Sequence, residues 1–97
     1  MEILEKYAIK SDNVASRILQ DEAVVVLPLE SIVYTFDSVG TRIWELITGR
    51  DKVSEIIKTI QHEYAVQPEE AEKDTIEFIN DLVSKKIVML SEAPVAD

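Results

Sequence analysis

The spacing of apolar positions changes once along the chain, near residue 37. Three segments before this point have the composition or alternation of β-strands: residues 15–20, 23–27 and 32–36. Segment 23–27 is apolar at every position, which predicts a strand with little solvent on either face. Polar breaks at Asp21-Glu22 and Glu30-Ser31 predict turns, so the three segments form an antiparallel meander.

Helical spacing begins after Phe36 and continues through three stretches. Their N-terminal signals are Asp37 or Ser38, then Asp51, then Pro68. The apolar stripes consist of Val39, Ile43, Leu46 and Ile47, with Trp44 on the flank; then Val53, Ile56, Ile57, Ile60 and Tyr64; then Ala71, Thr75, Phe78, Ile79, Leu82 and Val83. Residues 87–90 form a short exit strand, and residues 91–97 are expected to be a frayed tail.

These elements predict a small α+β domain, a three-stranded antiparallel β-meander followed by three helices (βββααα). With 97 residues, the chain has enough core for one domain, residues 1–97, with its core at about 15–90.

Two features of this pattern are unusual. The third predicted strand carries no Lys, Glu or Pro, the residues that usually protect a sheet edge. Either the N-terminal segment or residues 87–90 cover this edge, or it is a binding surface. The apolar arc of the third helix spans about 160° on a 100°-per-residue wheel, which is wider than one packing seam needs.

Composition narrows the class of function. The chain has 10 basic and 19 acidic residues, a formal charge of −9 and no cysteine. The acidic excess argues against nucleic-acid binding, and the lack of cysteine excludes disulfides and thiolate chemistry. No signal peptide is readable, and the longest apolar run, residues 23–29, is too short to span a membrane. We expect a cytoplasmic protein without a membrane partner.

Candidate catalytic residues are few. His62 is the only imidazole and lies opposite the apolar stripe of its helix. An acidic group at the start of the third helix (Glu69, Glu70, Glu72 and Asp74) is explained by the helix dipole without a metal. Gly40 and Gly49 are too far apart for a phosphate loop, and Gly40 indicates close packing inside the first helix. We expect neither catalysis nor a cofactor or metal.

One ordered set of motifs resembles a known family. Residues 32–49 read IVYTFDSVGTRIWELITG, followed by Val53-Ser-Glu-Ile-Ile57, then Tyr64 and an acidic start to the last helix. This order is similar to the PqqD family, also called the RiPP recognition element (RiPPs are ribosomally synthesised, post-translationally modified peptides). The resemblance covers about residues 15–90. Phe36-Asp37 stands where Leu-Asn is usual, and Thr48 where Asp often precedes the glycine.

The resemblance implies a winged-helix-like, non-catalytic adaptor that binds the leader of a precursor peptide. The leader adds as an antiparallel strand to the third predicted strand and lies against the third helix. Carried over, the peptide-binding residues are Ile32, Val33, Tyr34, Thr35, Phe36, Thr75, Phe78, Ile79, Leu82 and Lys85. The partner is a modifying enzyme, such as a radical SAM enzyme or a lasso-peptide protease and cyclase pair.

Two other functions remain open at this point: a winged-helix DNA-binding regulator, and a homodimeric structural subunit paired through the same strand edge. The charge distribution argues against the DNA-binding alternative, because the third helix begins with acidic residues that repel phosphates. For a peptide partner, the charges favour a leader with a basic end beside residues 69–74 and an acidic end near Lys85-Lys86.

Overall fold

The computed structural model describes residues 2–95. After a short 3₁₀ turn at Glu2–Glu5, the strands and helices are β1 (Tyr7–Lys10), β2 (Ala15–Leu19), β3 (Glu22–Leu27), β4 (Ile32–Thr35), α1 (Ser38–Leu46), α2 (Val53–Tyr64), α3 (Pro68–Ser84) and β5 (Val88–Ser91). The prediction of an antiparallel three-stranded sheet followed by three helices is confirmed. No helix in the described part of the chain is long and apolar enough to cross a membrane.

The strands form two separate antiparallel sheets. One has the order β2-β3-β4, and the other pairs β1 with β5. Strand β1 was not predicted, because its four residues carry too little alternation to stand out. Its partner strand, β5, lies about 80 positions later, with Ala8 opposite Leu90. A pattern of neighbouring residues cannot predict a pairing between segments so far apart in the chain.

The core lies between the three-stranded sheet and the helices. Ala23, Val25 and Leu27 of β3 are buried, whereas Val24 and Val26 are only half-buried. The prediction that both faces of this strand exclude solvent is therefore wrong for one face: no element of residues 2–95 covers the face of Val24 and Val26 as the helices cover the other. Trp44, predicted on a helix flank, is a core residue with 2% of its surface exposed.

Local signals differ from the predictions at two places. The β2–β3 turn is centred on Gln20 and Asp21 rather than on Asp21-Glu22, and both residues have positive φ, 52° and 68°. This conformation suits the twist of a two-residue hairpin. Asp37 caps α1 as predicted, accepting from the Gly40 N–H at 2.8 Å. Helix α2, in contrast, begins after Lys52, because Asp51 accepts instead from the Thr48 hydroxyl.

Both ends of the chain contribute to packing. Ile3 and Ala8 are buried, so the core extends to residues before position 15. Ser91, placed in the predicted tail, belongs to β5. Val95 donates to the Gly49 carbonyl at 2.8 Å, because the chain after β5 returns to this glycine. Met1, Ala96 and Asp97 lie outside the described residues, so the last two positions of the predicted tail do too.

Candidate functional site

The outer edge of β4 is open. Within residues 2–95, β4 pairs with β3 alone. The two segments expected as possible covers, the N-terminal one and the one after α3, pair with each other instead. Val33 is 59% exposed at this edge. The uncharged strand edge noticed in the sequence is therefore free to accept another strand.

The hydrogen-bond register identifies the groups that point outward. The Phe36 N–H donates to the Ala23 carbonyl at 2.9 Å, so Phe36 faces β3 with its backbone groups. Antiparallel ladders alternate, and Tyr34 therefore also bonds inward. The N–H and C=O groups of Val33 and Thr35 point to the open side. Four backbone groups are thus available to an added strand.

Two side-chain contacts join β4 to α3, and the surface between them is called the groove below. The Lys85 Nζ lies 4.7 Å from the centroid of the Tyr34 ring. The rings of Phe36 and Phe78 meet edge to face, with centroids 5.0 Å apart. Tyr34 and Phe36 share one face of the strand, as the alternation predicted. An added strand would lay every second side chain into this groove, beside these rings.

The α3 residues predicted as the groove wall occupy two layers. Thr75, Ile79 and Leu82 are 1%, 0% and 1% exposed, so their side chains lie in the core. Phe78 and Lys85 are half-buried and reach the surface. The first three therefore hold the helix against the core, whereas the last two form its accessible side towards β4. The Thr75 Oγ1 is buried and has no hydrogen-bond partner among the described residues.

Two residues that the sequence prediction left out of the site support the groove. A Cβ on Gly40 would lie 3.1 Å from the Phe78 ring and 3.2 Å from the Phe36 Cβ, so this glycine lets both rings pack against α1. Asp81 forms an ion pair with Lys85 one turn away. The i, i+4 spacing of opposite charges is a signal that was readable in the sequence.

The other charged contacts lie outside the groove. Arg42 donates two 2.8 Å hydrogen bonds to Glu63, which raise the pKa of Arg42 and lower the pKa of Glu63. Burial lowers the pKa of Lys10, whose Nζ lies 4.5 Å from the Trp44 ring centroid. His62 is exposed. No group of three His, Asp or Glu residues in residues 2–95 could hold a metal ion.

Comparisons with known proteins agree with this geometry. The family model of coenzyme PQQ synthesis protein D (PqqD) matches residues 23–88. A structure of TbiB1 in complex with the TbiA(beta) leader peptide is 30% identical, has a TM-score of 0.78, and covers 92% of this chain and 99% of its own.

A second structure, lasso peptide synthetase B1 complexed with the leader peptide, has a TM-score of 0.77 at 11% identity. It covers 84% of this chain and 96% of its own, and at this identity it shows a shared fold. No curated protein sequence matches the chain.

Proposed function

The chain belongs to the PqqD family, and on that premise we propose that it binds the leader region of a ribosomally synthesised precursor peptide and presents it to a modifying enzyme. The observation that carries this proposal is the open, uncharged edge of β4 beside an aromatic groove. The TbiB1 relative, 30% identical over nearly its whole length, was solved with a leader peptide, which supports the same class of ligand here.

Binding proceeds by strand addition. The outward N–H and C=O groups of Val33 and Thr35 pair with the peptide backbone in the antiparallel sense. At roughly 0.5–1.5 kcal/mol net for each hydrogen bond, four bonds contribute about 2–6 kcal/mol. A micromolar complex needs about 8 kcal/mol after the cost of association. Apolar burial in the groove must supply the remainder, so side chains of the leader determine affinity.

The residues of the site have separate roles in this proposal. Ile32 to Thr35 form the pairing edge, while Phe36 and Phe78 form an aromatic floor at one end of the groove. Tyr34 and Lys85 form its other end. Thr75, Ile79 and Leu82 fix α3 at the distance the groove requires. None of these roles involves bond making or breaking, so we infer an adaptor without catalysis.

The adaptor function indicates which class of enzyme is the partner. The adaptor holds the leader and leaves the downstream part of the precursor free for chemistry. The partner we propose is therefore an enzyme that modifies precursor peptides, such as a radical SAM enzyme or a lasso-peptide protease and cyclase pair. The lasso peptide synthetase neighbour shares the fold, which is compatible with the second kind of partner.

Isothermal titration calorimetry with leaders taken from short reading frames that neighbour this gene tests the proposal. We expect saturable one-to-one binding with a Kd of about 1 μM or lower, or about −8 kcal/mol. The control peptide has the same composition in scrambled order, and we expect it to bind at least about tenfold more weakly. Equal affinity for both peptides, or no heat with either, would contradict leader recognition.

A further inference from the structure

The two aromatic contacts fix the direction of α3 relative to β4. Phe36 meets Phe78, and Tyr34 meets Lys85, so the helix runs antiparallel to the strand. A peptide added antiparallel to β4 therefore runs parallel to α3. Its N-terminal end lies beside Phe36 and Phe78, and residues that precede the bound strand continue towards the N-terminal half of α3. Its C-terminal end leaves beside Ile32 and Lys85.

The charges at these two ends differ. Asp37 follows β4 at the N-terminal end of the bound peptide, and Asp74 lies one turn before Phe78 on the same flank of α3. Glu70 precedes Asp74 by another turn. All three residues are exposed, although the Asp37 carboxylate also caps α1 by accepting from the Gly40 N–H. The exposed base of these turns, Lys73, lies on the opposite flank of the helix.

The opposite end of the groove is nearly neutral. Lys85 is already paired with Asp81 and stacked over Tyr34, so its charge is largely satisfied. Lys86 and Glu30 are exposed near the same end and oppose each other in sign. This end offers little electrostatic preference, and the preference expected from the sequence for an acidic peptide end near Lys85-Lys86 is correspondingly weak.

We propose that this chain selects leaders that carry Lys or Arg directly N-terminal to the bound strand, with Asp74 as the specificity-determining residue. The inference rests on the proposed function and adds to it a direction and a charge requirement. The acids are not a site by themselves, since the open β4 edge and its groove hold the peptide. Their effect is to distinguish peptides that bind equally well through backbone pairing.

Three synthetic probes test this selection. Each contains the segment of the TbiA(beta) leader that is bound in the TbiB1 complex, chosen because that relative is 30% identical. One carries three lysines before the segment, one carries three lysines after it, and one has no added residues. Exposed ion pairs are individually weak and screened by salt. At low ionic strength we therefore expect the first probe to bind about five- to tenfold more tightly than the second, and the difference to shrink to about twofold near 0.5 M salt.

Charge reversal assigns the effect to one flank of the helix. In the Asp74→Lys variant we expect the advantage of the first probe to fall by at least about threefold. The matched control is Glu72→Lys, which makes the same charge change on the exposed, opposite flank of the same turns and should keep most of the advantage.

Each outcome separates the inference from the proposed function. Equal affinity of the two lysine-tagged probes, or tighter binding of the second, would overturn the inference while leaving leader binding intact. An equal loss in both variants would show a long-range effect of net charge and would also overturn it. If none of the probes binds at about 1 mM, the inference is overturned for this leader, whereas the proposed function is decided separately by the calorimetry with leaders from neighbouring reading frames.

Discussion

The three-stranded sheet has two open edges, and only one of them lies beside an aromatic groove. The register that points Val33 and Thr35 outward on β4 also points Ser16 and Ile18 outward on β2. Both edges therefore offer the same number of backbone groups. If hydrogen bonds decided where a peptide binds, the two edges would compete equally.

The side chains beside the edges are different. Next to β4 the groove is lined by aromatic rings and the stem of Lys85. On the helix-facing side of the sheet, the cleft at Ile18 beside β2 is lined mainly by polar and charged side chains, among them Asp21, Arg42 and Glu45. Arg17 lies in the middle of β2 and protects that edge. In the proposed function, both edges can supply backbone groups for pairing, and the side chains of the neighbouring helix favour β4.

The largest expected effect comes from a proline on each edge. Val33→Pro removes an outward N–H from β4 and adds a ring against the incoming strand, so we expect leader affinity to fall by at least about tenfold. Ser16→Pro makes the same change on β2 and should leave affinity within about twofold. Calorimetry measures both, and circular dichroism confirms folding of each variant. Equal losses in the two variants would show that β4 has no special role.

A smaller effect is expected from the aromatic side chain beside each edge. Phe78→Ala removes half of the edge-to-face pair with Phe36, and we expect leader affinity to fall by about three- to tenfold. Tyr64→Ala removes an aromatic side chain from the cleft beside Ile18 and should leave affinity unchanged. The Phe78→Leu variant distinguishes loss of side-chain volume from loss of the aromatic contact, because leucine keeps most of the volume of phenylalanine. Full affinity in Phe78→Ala would contradict the role of the groove.

The smallest effect concerns the layer behind the groove. The buried Thr75 hydroxyl has no hydrogen-bond partner within residues 2–95. A buried hydroxyl without a partner costs roughly 1–3 kcal/mol, and valine has nearly the shape of threonine. We expect Thr75→Val to raise the free energy of unfolding by about 1 kcal/mol, measured in urea, with unchanged leader affinity. The control is Thr59→Val, since Thr59 bonds the Glu55 carbonyl at 3.2 Å and should gain nothing. A loss of affinity in Thr75→Val would show that the peptide reaches this hydroxyl.

Local sequence predicted the unprotected strand edge, whereas the α3 residues of the proposed site came from the family resemblance. Residues 32–36 alternate cleanly, and their lack of protective charges marked them as an exceptional edge. The apolar arc of α3 was correctly identified as wide, but a helical wheel gives only angles. It could not show that Thr75, Ile79 and Leu82 point into the core while Phe78 and Lys85 reach the surface. That division depends on where the sheet lies against the helix.

Local sequence was enough to predict the order of elements from β2 to β5, the uncharged edge of β4 and the uneven charge of α3, because each is a property of residues close together in the chain. Only the tertiary structure decided that this edge stays open. The segments that could have covered it, β1 and β5, pair with each other across about 80 positions. Pairing between distant segments depends on how the whole chain folds, so the local pattern of polar and apolar residues does not predict it.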